Sequence, residues 1–179
     1  TGIVGVFAVL VVPFFVSNSM FFPFITGKGF LFRIIVEVIF FAWIALAYAD
    51  PAYRPKKSLM LYAVLGFATV VAVADFMSEN MLKSIWSNYE RMEGLVTILH
   101  LAAYTVVAAT VLNTEKLWMR FFQASVGASV IMALYGFFQL GGVFDIHQGS
   151  TRLDATLGNS AYLAVYMLWN IFFAVFLAV

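Results

Sequence analysis

The chain has 179 residues, 64% of them hydrophobic and only 11% charged, with a formal net charge of +1 and no cysteine. Soluble domains run nearer half apolar and a quarter charged, so an ordinary soluble domain is excluded. The near-neutral charge gives nucleic acid no electrostatic purchase, and the missing thiols exclude disulfides and thiolate chemistry.

Mean hydropathy is +0.97, and the apolar residues form continuous blocks that match the hydrocarbon thickness of a bilayer. They do not alternate as the strands of an outer-membrane barrel do. The expected fold class is therefore all-α: a polytopic transmembrane helical bundle in a lipid bilayer, with no separate soluble domain. Lipid offers the backbone no hydrogen-bond partner, so each span must be helical.

Six apolar segments follow one another over about 2–17, 31–49, 58–74, 93–112, 118–140 and 161–179. The first is short and contains Pro13, which predicts a kinked or truncated span. The second opens with Arg33 and Glu37, whose four-residue spacing puts them on one helix face. A charge inside a membrane costs about 3 kcal/mol on insertion scales. The two are then either an interfacial ion pair, with Arg33 reaching outward, or part of a polar pocket.

Between the third and fourth spans runs "DFMSENMLKSIWSNYERM". Met77, Met81, Ile85 and Trp86 recur at helical spacing, opposite Glu79 and Lys83. That pattern predicts an interfacial amphipathic helix over about 76–89, with Trp86 and Tyr89 in the aromatic belt. Such a helix serves as an anchor or as the lip of a cleft for a lipid-borne substrate. Arg91 and Glu93 lead into the fourth span, where Glu93 in the first turn would complement the helix dipole. Arg91 either contacts substrate or pairs with Glu90 or Glu93. Two turns beyond Glu93 lies His100, either hydrogen-bonded to a neighbouring helix or in a proton-transfer or substrate role.

The connections 50–57 and 113–117, with Arg120 just beyond, are short and basic, which places them in the cytoplasm. Loops 18–30, 75–92 and 141–160 then share the outer face. The last of these reads "GGVFDIHQGSTRLDATLGNS". Gly141, Gly142 and Gly149 break the preceding helix, and Gly158-Asn159-Ser160 forms a turn and cap for the final span. Arg152 lies among Asp145, His147 and Asp154. Its planar fork of donors suits a phosphate, and the helix start near Asn159 adds unsatisfied N–H groups. A structural salt bridge to Asp145 or Asp154 is the alternative. His100 and His147 fall in different elements, so no metal constellation is expected. No nucleotide or cofactor motif occurs either.

Two stretches, "SIWSNYERMEGLVTILHLAAY" and "TRLDATLGNSAYLAVYML", carry a family resemblance. The chain resembles the bacterial O-antigen ligase and O-antigen polymerase superfamily, polytopic glycosyltransferases with lipid-linked donors. Arg152, Gly158, Asn159, Tyr162, Leu163 and Ala164 match its second motif; Ser160 stands where the family usually has Pro. The resemblance implies a longer protein of about twelve spans, this chain being its N-terminal portion. It implies transfer of a glycan from undecaprenyl pyrophosphate to a glycan or lipid A-core acceptor at the outer face of the bacterial inner membrane. It also implies substrate contacts at Arg152, Arg91, Glu93 and Asn159. The family's catalytic histidine belongs to a later external loop, so the resemblance assigns that role to neither His100 nor His147, and the catalytic residue is unknown. A non-initiator Thr1 and a final run without a polar flank fit a fragment. The alternatives are a secondary transporter with Arg33, Glu37 and His100 along its pathway, or a non-catalytic membrane scaffold.

Overall fold

The computed structural model describes residues 2–88, 91–147 and 152–179. The chain is all-helical, with no strand among the described residues. The α-helices are α1 (Gly2–Ala8), α2 (Thr26–Ala49), α3 (Leu59–Phe76), α4 (Met81–Trp86), α5 (Leu95–Val111), α6 (Glu115–Leu140) and α7 (Ser160–Ala178). Of these, α2, α3, α6 and α7 are long and apolar enough to cross a membrane. Their apolar faces are largely uncovered: only 6% of the apolar window of α7 is buried, and Trp169 and Phe172 stand open. Helices apolar on all sides match hydrocarbon, not water, which points to a lipid bilayer environment.

Two segments expected to span are shorter. The first forms α1 and then tightens into a 3-10 segment over Val9–Phe14, with Pro13 inside it. Proline has no N–H to continue an α ladder, and the combined rod is about 22 Å long. The helix α5 has 17 residues, about 26 Å. Both are shorter than the four helices that are long enough to cross.

The chain divides into two compact units. In the unit of Thr1–Val9 and Gly29–Asn113, α5 is the central element, packed against α1, α3 and α4. Leu95, Ala102, Val106, Val107, Ala108 and Val111 are its buried apolar residues. Its start is fixed by a close approach: a side chain at Gly94 would collide with the carbonyls of Ser84 and Ile85. This places the N-cap at Gly94 and leaves Glu93 before the helix, not in its first turn.

The amphipathic segment is also shorter than the expected 76–89. The helix α3 continues to Phe76, and Asn80 opens a new helix by accepting from the Lys83 N–H at 3.3 Å. The helix α4 ends at Trp86, where Ser87 takes φ 62°. Tyr89 and Glu90 lie outside the described residues.

In the unit of Leu10–Lys28 and Thr114–Val179, α6 packs along α7. Phe122 sits 4.9 Å from Phe173 and 5.6 Å from Phe176, centroid to centroid. Between the same helices Ser125 donates to Asn170 Oδ1 at 2.8 Å, and both side chains are buried. The start of α7 is cut by Gly158, in the left-handed region at φ 66°, and by Asn159, whose Oδ1 accepts from the Ala161 N–H. Gly149 lies outside the described residues.

Gly94→Ala is expected to destabilise the fold by about 1–3 kcal/mol, because the carbonyls it would meet are backbone and cannot swing aside. Gly66→Ala, within α3 and with nothing within 4 Å of the added carbon, is expected to be neutral or stabilising by up to about 1 kcal/mol. Thermal unfolding of the two variants in detergent checks the contrast.

Candidate functional site

Among the described residues, each unit holds a polar cluster. In the first, Arg33 is buried on α2 and donates through Nη2 to the Met92 carbonyl and, at 2.8 Å, to Thr97 Oγ1. Thr97 in turn donates to the Met92 carbonyl at 2.8 Å. A guanidinium has five N–H donors and cannot shed its charge. Fixing it on a carbonyl and a hydroxyl makes its burial tolerable and ties the segment before α5 to α2.

The side chains of Arg33 and Glu37 therefore have different main partners, although their spacing suits a direct ion pair. Glu37 Oε1 lies 3.2 Å from Nε2 of His100, on α5. The other imidazole nitrogen, Nδ1, lies 2.6 Å from the Val96 carbonyl. Glu37 and His100 supply the polar part of the lining of a cavity of about 470 Å³, otherwise walled by apolar residues such as Phe40, Leu65 and Leu99.

The second cluster organises the polar loop before α7. Asp154 is fully buried. Its Oδ1 accepts from Gln139 Nε2 at 2.8 Å, and its Oδ2 accepts from the His147 backbone N–H at 3.0 Å. The His147 imidazole Nδ1 is 3.5 Å from the same oxygen, and Phe24 packs against that ring, tilted by 53° with centroids 4.6 Å apart. Gln139 completes the arrangement by donating to the Asp145 carbonyl and accepting from the Ala155 N–H.

Lys28 closes this cluster from the start of α2. It donates to the carbonyls of Phe24 at 2.9 Å and Thr156 at 2.7 Å. The Thr156 hydroxyl donates to the Pro13 carbonyl at 2.9 Å. Hydrogen bonds thus hold the described part of the loop at both ends.

Of the residues expected to bind substrate, Arg152 is exposed, two positions before the buried Asp154. Asn159 caps α7, so its side-chain oxygen is already engaged. Arg91 and Glu93 are exposed on either side of Met92, and Asn88 Oδ1 accepts from the Arg91 N–H at 3.1 Å. Arg152 and Asn159 belong to one unit, Arg91 and Glu93 to the other.

The sequence grouped Glu37 and His100 only in the transporter alternative, without pairing them, and gave Gln139 and Lys28 no role. Their signal was a polar side chain inside or bordering an apolar helix, which must find a partner. Among the described residues, no group of three or more His, Cys, Asp or Glu could hold a metal ion. No family model, curated protein or solved structure matches the chain.

Asp154→Ala is expected to cost about 2 kcal/mol or more, because it strands the Gln139 amide and the His147 N–H inside the fold. Limited trypsin cleavage at Arg152 should accelerate in that variant, read by mass spectrometry of the fragments.

Proposed function

We propose that the chain is the N-terminal portion of a bacterial inner-membrane glycosyltransferase of the O-antigen ligase or polymerase type. It takes a glycan from an undecaprenyl pyrophosphate donor and passes it to a glycan or lipid A-core acceptor at the outer face. In this reading α1 with its 3-10 extension and α5 lie in the bilayer beside the four long helices, giving six spans of a protein with about twelve.

The observation that carries the proposal is the segment from Arg152 into α7. Arg152 is exposed, and two residues later the chain is fixed through the buried Asp154. Seven residues later it enters a capped helix start. An arginine seven residues before a helix start brings, along the chain, a guanidinium and fresh helical N–H groups, chemistry suited to the two phosphates of a departing pyrophosphate. Positive donors aimed at that leaving group would stabilise charge as it develops. The motif residues Gly158 and Asn159 supply the turn and cap that start the helix.

Arg91 and Glu93, both exposed, are the proposed contacts near the substrate's entrance, a few residues after the exposed Trp86 of α4. The base that activates the acceptor hydroxyl is expected outside this chain. Loops 75–92 and 141–160 would both face the periplasmic side.

Arg152→Ala in the full-length protein is expected to lower glycan transfer by about a hundredfold or more, while membrane insertion is retained. Transfer is read as polymerised or ligated glycan on a gel of cell-envelope extracts. Unchanged transfer would overturn the assignment. Proton-coupled uptake by the purified protein in liposomes would instead favour a transporter.

A further inference from the structure

The contacts of His100 determine how many protons it and Glu37 hold together. A carbonyl oxygen only accepts, so the 2.6 Å contact between Nδ1 and the Val96 carbonyl requires a hydrogen on Nδ1. A neutral imidazole then has a bare Nε2. That nitrogen lies 3.2 Å from Glu37 Oε1, and an ionised carboxylate also offers only lone pairs. The contact therefore holds one proton, either on Glu37 as a carboxylic acid or on His100 as imidazolium. In both forms the pair is neutral overall.

The surroundings of the pair are mostly apolar. Glu37 is at the midpoint of α2, a helix long and apolar enough to span a bilayer, and its side chain is 58% exposed. It faces the apolar cavity of about 470 Å³, where an unpaired carboxylate is poorly solvated. Other ionisable groups nearby are few. Arg33 lies one turn before Glu37 and is committed to Met92 and Thr97. Tyr104, one turn beyond His100, donates to the Val6 carbonyl. The helix α3 has no ionisable side chain between Tyr62 and Asp75, α1 has none, and α4 contributes Lys83.

We infer that Glu37 and His100 form a one-proton binding site within the membrane-embedded part of the chain, and that its proton latches α2 to α5. Loss of the proton sets two lone pairs against each other and breaks the contact. The freed carboxylate then has Arg33, four residues back on its own helix face, as its alternative cation. Proton release would thus move Glu37 from a partner on α5 to one on α2 and open the polar end of the cavity. This inference is independent of the glycan-transfer reading.

The chain has two histidines, so a His147→Gln background leaves His100 alone for observation. With ¹⁵N-histidine incorporated and the full chain in lipid nanodiscs, NMR reports Nδ1 and Nε2 separately. Nδ1 is expected to stay protonated across neutral pH, while Nε2 shows a single transition. Adding Glu37→Gln, which is isosteric and donates an amide N–H without titrating, should alter both the Nε2 resonance and that transition, because the proton shared across the contact is lost. An unmoved transition would overturn the inference. So would a neutral imidazole protonated on Nε2 and bare on Nδ1, a result that needs no second variant.

Discussion

The constraint on which this structure depends is that polar groups withdrawn from water must find their partners within the chain. Among the described residues, no buried side-chain nitrogen or oxygen lacks a hydrogen bond. In a chain this apolar, burial alone gives little direction, because a lipid-facing surface and a helix-facing surface have similar chemistry. The few polar side chains therefore decide which helix faces which. Arg33 fixes the approach to α5, Asp154 fixes the loop before α7, and each does so through several bonds at once.

Much of the helical organisation was legible in the sequence because it depends on block length and local chemistry. The long apolar runs became helices, and the Gly158-Asn159-Ser160 stretch became a left-handed turn followed by a cap. Pro13 announced an irregularity, although its form, a 3-10 segment and not a kink in a continuous span, depended on how the backbone tightened. The amphipathic pattern around Met81 was also visible. Its length was not, because α3 runs on to Phe76 before Asn80 begins the next helix.

The polar pairings were not legible, and sequence separation is the reason. Glu37 meets His100 across 63 residues, Arg33 meets Thr97 across 64, and Lys28 meets Thr156 across 128. Local rules see only neighbours, so they paired Arg33 with Glu37. The fold gave each a better-oriented partner from α5 or the segment before it. Gln139 is a similar case: near the end of an apolar helix it reads as a boundary residue. In the folded chain it receives and donates three hydrogen bonds that organise the loop around Asp154.

The bond between Ser125 and Asn170 bears on a further question, the rotational setting of α7. Apolar around nearly all of its circumference, α7 could turn about its own axis with little change in the chemistry it shows to lipid. Asn170 removes that freedom. A rotation of one residue, about 100°, would carry its amide out of reach of Ser125 and into hydrocarbon. A single side chain near the middle of the helix thus acts as a compass needle for the whole rod.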